Sequence, residues 1–348
     1  MADKDAITKQ YMKDAKIFAD AFNFLLYDGK NVICPSRLRT MDTAEIVLPF
    51  GEGQTASPVQ KYRDNLKYLA AMEDETAAYA ILGLEGQSDI HYAMPVRDML
   101  YDAMQYAKQV EKAAKSHRDA AKAKAEKRWQ DHTGSAVSQK EHTASSGEYL
   151  SGFYKNDRLV PVITLVILFS PKPWDGPMSI HEMLSDVKAE LLPFIPDYRI
   201  NLIAPADMSE ASLDKFNTSL REVLLYIKYS SDKKQLSDLL DKDPHFRELD
   251  TEAAVVINTL TNSKLKFDRK GKTVNMCLAV QAMRQEERQE GRLEGRLEGR
   301  LEGRQEGESR INQLNSLLID LNRFEDLKRA AKDSAYQAEL MAELLPNQ

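Results

Sequence analysis

The 348-residue sequence has only two cysteines, Cys34 and Cys277, which are too few for a disulfide framework or for a four-ligand zinc site. It also lacks any run of about 18 consecutive apolar residues, so no membrane-spanning helix is expected. The first residues, MADKDAITKQ, lack the apolar stretch of a secretory signal. These absences fit a reducing compartment, and we expect a cytoplasmic protein with no membrane partner.

The sequence also lacks a large excess of charge of either sign, because it has 48 Lys and Arg and 54 Asp and Glu. The net charge is −6, so the chain as a whole is not basic and its overall charge does not indicate a polyanionic partner. The phosphate-loop pattern G-x-x-x-x-G-K-[ST] is absent, and His181-Glu182 is followed by Ser185 where a zinc protease has its second histidine. The 43% of hydrophobic residues nevertheless suffices for a sizeable core.

Helical and strand patterns alternate in the first 170 residues and give the order α-β-β-β-α-β. The run LVPVITLVILF is typical of a strand buried on both faces. The predicted elements are a helix over 12–27 that ends at Asp28-Gly29, strands over 44–50, 62–72 and 77–84, a long helix from Pro95, and strands over 159–169 and 199–203.

Beyond about residue 207 the pattern predicts helices alone, so we expect an α/β protein with a mainly helical C-terminal region. The pattern changes from mixed strands and helices to helices alone near residue 205, which is therefore the predicted domain boundary. The predicted segments are an α/β domain over 10–205, a helical region over 206–288, a low-complexity segment over 289–310 and a terminal helix over 311–348.

Two helical stretches carry further information. In the long helix an apolar stripe is predicted from Val96, Met99, Leu100, Ala103, Met104 and Ala107. Residues 108–128 then hold eight Lys and Arg against three Asp and Glu. This basic stretch is suited to DNA phosphates, and a solvated helix face explains it equally well.

The segment 290–307 repeats the unit GRLE. Because glycine disfavours helix by about 1 kcal/mol per residue, a marginal solvated helix or a flexible linker is the first interpretation, and a coiled-coil partner helix is the alternative. In the tail, Leu314, Leu317, Leu318 and Leu321 leave homo-oligomerisation open.

Carboxylates cluster at the predicted hairpin. Asp64 lies on the second strand, while Glu85 and Gln87 lie at the end of the third. Neighbouring strands would bring the carboxylates of Asp64 and Glu85 side by side, and such oxygen ligands suit Mg²⁺, with Mn²⁺ as a substitute. A bound ion of this kind lowers the pKa of an attacking water and polarises a phosphate.

Several stretches of the chain together resemble a known family. The longest is AYAILGLEGQSDIHYAMPVRDMLYDAMQYAKQV at 78–110, and the others are FADAFNFLLYDGK, YRDNLKYLA, GEYLSGFYK, VITLVILF and the GRLE repeat. They are similar to the Rpn family of recombination-promoting nucleases, also described as transposases, within the PD-(D/E)XK nuclease superfamily. The resemblance implies a nuclease-like core with a mixed sheet flanked by helices.

The resemblance also implies roles for five residues. Asp64 and Glu85 match the two metal-binding acids, and Gln87 stands where most members of the superfamily have a lysine. Arg97 and Tyr101 resemble a Q-x-x-x-Y element on the following helix, with arginine in place of glutamine. Gln87 can orient a water but has no charge to stabilise the transition state.

The implied function is a Mg²⁺-dependent DNA endonuclease with a role in recombination or DNA mobility. An impaired, nuclease-derived DNA-binding or protein-interaction factor is the alternative, and RNA stays open as a substrate. On the first helix, Asp20 and Asn23 are either outer-shell metal ligands or ordinary polar residues.

Overall fold

The computed structural model describes residues 2–41, 44–47, 59–62, 65–70, 78–130 and 144–345. The chain divides into two units, Met1–Cys277 and Leu278–Gln348. The predicted boundary near residue 205 therefore lies inside the first unit, which includes both the strands and the helices up to Cys277.

The first unit combines strands with helices, and the second is helical. The strands are β1 (Leu38–Thr40), β2 (Ala44–Val47), β3 (Val59–Tyr62), β4 (Asn65–Ala70), β5 (Ala78–Gln87), β6 (Val162–Leu168), β7 (Asn201–Ile203), β8 (Leu249–Asp250) and β9 (Thr273–Val274). The helices of the first unit are α1 (Ala2–Tyr11), α2 (Ala15–Tyr27), α3 (Met94–Gln130), α4 (Ser146–Ser151), α5 (Glu210–Leu213), α6 (Leu220–Tyr229), α7 (Lys233–Lys242) and α8 (Thr251–Thr261). α9 (Met276–Asp320) enters the second unit, where α10 (Phe324–Ala330) and α11 (Ser334–Leu344) follow.

A five-stranded mixed sheet has the order β1-β4-β5-β6-β7. The pairs β1–β4 and β4–β5 are antiparallel, whereas β5–β6 and β6–β7 are parallel. The predicted pairing of the second and third strands is thus confirmed, with Asn65 opposite Leu84. Because β5 and β6 are parallel, the chain needs a crossover between them, and that crossover contains α3.

The centre of the sheet forms the core of the first unit. Leu82 and Leu84 on β5 and Leu165 and Ile167 on β6 have no exposed surface. This burial agrees with the apolar run that predicted a central strand, although β6 is shorter than the predicted 159–169. The fold class predicted from the sequence, α/β with a helical C-terminal region, is therefore correct.

The first predicted helix ends where the sequence indicates. α2 stops at Tyr27, and Asp28 then adopts a left-handed conformation with φ of 54°. Gly29 follows with φ of +82°, and a side chain there would lie 2.5 Å from the carbonyl oxygen of Lys215. The helical C-terminal region is not purely helical, because β8 and β9 pair antiparallel within it.

The apolar stripe predicted for α3 is wrong in its first two turns. Val96, Met99 and Leu100 are 37 to 43% exposed, whereas Asp98 and Gln105 on the same helix are buried. Polar side chains dock this helix to the sheet: the amide of Gln109 exchanges two hydrogen bonds, of 2.7 and 3.0 Å, with the backbone of Val160. The buried face of α3 is thus partly polar, because its side chains satisfy backbone groups of Val160 and Val162 at the entry to β6.

The single terminal helix predicted over 311–348 is also wrong. α9 continues to Asp320, Asn322 takes a positive φ of 56°, and α10 and α11 are separate helices. Leu314 and Leu318 are fully buried against Ala330 and Leu340. These leucines thus belong to the core of a small helical cluster within the second unit.

Membrane-spanning segments are not found in the part of the chain that the structure describes, where every helix is too short or too polar to cross a bilayer.

Candidate functional site

Glu85 is a charged residue inside the sheet. It follows Leu84 on β5, has no exposed surface, and pairs through its backbone with Val166 on β6. Alternation along β5 points Glu85 and Ile81 to the same face, and Tyr106 of α3 packs against the buried cluster of Ile81 and Val162. A carboxylate at such a depth requires a partner, and α3 supplies one.

Arg97 of α3 bonds directly to this carboxylate. Its Nη2 donates to Oε2 of Glu85 at 2.9 Å, and its Nε donates to the hydroxyl of Tyr101 at 3.2 Å. Arg97 and Tyr101 lie one helical turn apart, so both reach the same face. The structure therefore brings three of the five predicted site residues together.

Gln87 is the last residue of β5 and is half-buried. Its position two residues after Glu85 places it on the same face of the strand. Its backbone carbonyl accepts a hydrogen bond of 2.7 Å from the amide of Phe169, just after β6. Gln87 thus lies at the end of the strand, farther from the centre of the sheet than Glu85.

Asp64 lies outside the described residues, between β3 and β4. In sequence it directly precedes Asn65, the residue opposite Leu84. The expected pairing of Asp64 with Glu85 therefore remains a prediction.

A second carboxylate on the inner face of α3 was missed by sequence reasoning. Oδ1 of Asp102 accepts a hydrogen bond of 2.5 Å from the hydroxyl of Thr164 on β6, and Oδ2 accepts one of 2.7 Å from Tyr198. Asp98, Asp102 and Gln105 recur at spacings of four and three, which indicates a polar face on the helix. A search for apolar stripes does not detect such a face.

The two polar residues considered on α2 have structural roles. The carboxylate of Asp20 accepts hydrogen bonds from the backbone of Asn217 and Thr218, and Asn23 binds the backbone of Ile33 through both donor and acceptor. These contacts join α2 to the segment before α6 and to the loop after α2. The outer-shell metal role that the sequence left open is not needed to explain either residue.

The basic stretch predicted over 108–128 continues α3 away from Tyr101. Lys112, Lys115, Arg118 and Lys122 are exposed, and the last three recur at spacings of three and four. Such spacing aligns positive charge along one helix face.

A separate polar cluster lies between α6 and α7. Glu222, Asp243 and His245 each offer a ligand atom within 4.8 Å of the others, and nitrogen and oxygen ligands of this kind bind divalent metals. Arg221 already donates to Glu222 at 2.9 Å and to Asp243 at 2.6 Å. The guanidinium thus supplies positive charge at the place where a metal ion would bind.

Ionisation in this polar cluster follows from burial and from Arg221. Burial raises the pKa of Glu222 above its usual value. Burial acts in the same direction on Asp243, but hydrogen bonds from Arg221 and His245 outweigh it and lower the pKa of Asp243. A cavity of about 930 Å³ borders the cluster and is lined by Arg221, Glu222 and His245.

We expect Asp243→Asn to lower the free energy of unfolding at pH 7 by about 2 kcal/mol, because the hydrogen bond from Arg221 then goes to a neutral oxygen and loses its charge assistance. A lowered pKa in the folded state stabilises the protein above the pKa of the unfolded chain, near 4, and that contribution is lost as the pH falls further. Urea unfolding should therefore show a larger stability difference between wild type and variant at pH 7 than at pH 3. An equal difference at both pH values would contradict the ionised pair.

Comparisons of the chain with protein-family models, with curated proteins and with solved structures give no match. The resemblance to the Rpn family is therefore supported only by the sequence stretches quoted above.

Proposed function

We propose that the chain is a Mg²⁺-dependent DNA endonuclease whose site is formed by Asp64, Glu85, Gln87, Arg97 and Tyr101. The observation that carries this proposal is the register of β4 and β5. In an antiparallel pair with Asn65 opposite Leu84, the next step pairs position 64 with position 85. The proposal requires Asp64 to follow that register, so that its carboxylate lies beside Glu85.

The donor set fits a hard divalent cation. Carboxylate oxygens are the ligands that Mg²⁺ prefers, and one carboxylate has acceptor positions for more than one partner. Arg97 donates to Oε2 of Glu85 at 2.9 Å, so this bond uses one of the two carboxylate oxygens. A bound Mg²⁺ would supply the charge that polarises the phosphate and acidifies a water.

The remaining residues would act on the substrate and the water. Gln87, at the open end of β5, would orient the attacking water through its amide oxygen. Arg97 would donate hydrogen bonds to the scissile phosphate, because a guanidinium can donate two parallel hydrogen bonds to two phosphate oxygens. Tyr101 holds the Nε edge of Arg97 at 3.2 Å and so would fix the direction in which the guanidinium points.

Two features of the fold support this reading. The mixed strand order and the crossover helix α3 agree with a PD-(D/E)XK-like core in which β1, β4, β5 and β6 are the core strands. The exposed basic face of α3, near Lys115 and Arg118, continues the helix that carries Arg97, and would follow DNA phosphates away from the site.

One observation favours the alternative of an impaired nuclease-derived factor that binds DNA without cutting it. The Arg97–Glu85 ion pair places a positive charge on an acid that the nuclease reading assigns to the metal. In that reading the pair is structural and Gln87 reflects a lost catalytic function.

Incubation of supercoiled plasmid with the full chain tests the proposal. We expect nicked and linear DNA with Mg²⁺, none with EDTA, and none with Asp64→Ala. DNA binding without cleavage would select the impaired factor, and cleavage of structured RNA in preference to plasmid would select the RNA substrate.

Gln87→Lys restores the residue that is common in the superfamily. We expect cleavage to hold steady or rise by up to about tenfold, because a cation beside the phosphate stabilises the charge that develops there. Initial rates of plasmid nicking at matched protein concentration check this. A tenfold fall in a normally folded variant would show that Gln87 does not occupy the position of that lysine.

A further inference from the structure

The repeat segment, residues 291–306 of α9, is helical and exposed at every residue. Leu293, Leu297 and Leu301 expose 62, 54 and 59% of their surface. A side-chain atom added at Gly291, Gly295, Gly299 or Gly303 would meet no atom within 4 Å other than those of its chain neighbours and of the helix's own nearby backbone. Among the described residues of the second unit, nothing packs on this helix.

A helix with such a sequence requires a packing partner. Glycine is the weakest helix former after proline, and it recurs at every fourth residue of the segment. Most helices in proteins are stabilised by packing of one face rather than by propensity. Exposed leucines at a constant spacing of four supply such a face, and no described residue of the second unit covers it.

The repeat fixes where the charges lie on the helix. At 3.6 residues per turn, glycine and leucine lie on nearly opposite faces, about 200° apart. Each arginine then lies about 100° to one side of its glycine, and each glutamate about 60° to the other side. Whichever of the glycine and leucine faces meets a partner, arginines form one flank of the contact and glutamates form the other.

We propose that the repeat segment is a homodimer interface in which two copies of α9 pair in parallel. The segment holds four arginines and four glutamates, so its charge is balanced and a second copy complements it. A two-fold axis along the helices sets the arginine flank of each copy against the glutamate flank of the other. An antiparallel pair would set arginine against arginine and is disfavoured.

The spacing also sets the packing geometry. Rows of residues four apart form ridges that interdigitate at a crossing angle of about −50°. Glycines at the crossing let the two backbones approach closely, as small residues do at other tightly packed helix pairs. The tail leucines Leu314 and Leu318 are not available for this contact, because they are buried within their own chain.

Two variants of the full chain test the proposal by light scattering at about 50 mM salt, where charge pairs are weakly screened. The acidic variant carries Arg292→Glu, Arg296→Glu and Arg300→Glu. The exchanged variant carries the same three changes together with Glu294→Arg, Glu298→Arg and Glu302→Arg, so its composition equals that of the wild type. Both leave the Arg304–Glu308 ion pair intact.

We expect wild type and exchanged variant each to have twice the chain mass of 39.5 kDa, and the acidic variant to have half of that dimer mass. In parallel pairs, wild type and exchanged variant repel each other, so a tagged wild-type chain should capture untagged wild type but not the exchanged chain. Circular dichroism melting checks that the first unit is folded in each variant. A wild-type monomer, an acidic variant that stays dimeric, or preferential capture of the exchanged chain would overturn the proposal.

Discussion

Glu85→Gln is expected to reduce Mg²⁺-dependent plasmid cleavage by about 100-fold or more. The substitution keeps the shape of the side chain and leaves an oxygen that can still accept from Arg97, which now bonds at 2.9 Å. It removes the negative charge that would hold the metal. A metal ion stabilises the charge of the transition state by several kcal/mol, which corresponds to at least about two powers of ten in rate. Rates measured across a Mg²⁺ titration of protein prepared without metal provide the test.

Glu148→Gln is the matched control for this change. Glu148 is a buried glutamate of the same unit whose carboxylate accepts from the backbone of Ser145 and of Lys155, away from β5. We expect this variant to lose some stability and to cleave plasmid at the wild-type rate per folded molecule. If Glu85→Gln also cleaves at the wild-type rate, Glu85 has no catalytic role.

Asp20→Ala is expected to lower the free energy of unfolding by about 3 to 4 kcal/mol. The carboxylate of Asp20 is 2% exposed and accepts hydrogen bonds from both backbone amides of Asn217 and Thr218 and from the hydroxyl of Thr218. Each hydrogen bond to a charged group contributes about 1.5 to 3 kcal/mol, and alanine leaves the donors without their acceptor. Urea unfolding at pH 7 measures the change.

Asp14→Ala is the control for Asp20, because Asp14 caps the same helix at an exposed position through the amide of Lys16. We expect it to reduce stability by only about 1 kcal/mol, which is typical of a lost N-cap. A loss for Asp20→Ala no larger than for Asp14→Ala would show that the contact with Asn217 and Thr218 does not hold α2 to the helical region.

Much of the first unit could be predicted because local patterns determine it. The apolar run before Phe169 indicated a central strand, and the Asp28-Gly29 pair indicated the end of α2 through a left-handed residue. The antiparallel pairing of β4 with β5 followed from two strands separated by a short polar stretch. These signals lie within a few residues of the structure that they predict.

The orientation of α3 could not be predicted from its apolar residues. Its buried face is selected by partners that are distant in sequence, such as Thr164 and Tyr198 for Asp102 and Val160 for Gln109. A hydrophobicity pattern assigns the buried face to Val96 and Met99, which the structure leaves exposed. Only knowledge of these distant polar groups would correct that assignment.

The candidate site was predictable in part for the same reason. Arg97 and Tyr101 share a helix face through their spacing of four, which is a local property. The ion pair between Arg97 and Glu85 is not local, because it depends on how α3 crosses β5. The cluster of Arg221, Glu222, Asp243 and His245 likewise joins residues about 20 positions apart, and no motif in the sequence indicated it.

The claim that Asp64 and Glu85 share one cation is tested most directly by titrating Mn²⁺ into the metal-free full chain and counting bound ions by electron paramagnetic resonance. We expect one ion at this site and an affinity at least about tenfold weaker in Asp64→Asn and in Glu85→Gln. We also expect the double variant to lose less binding free energy than the two single variants lose together, because both acids bind the same ion. Wild-type affinity in both single variants would contradict the shared site.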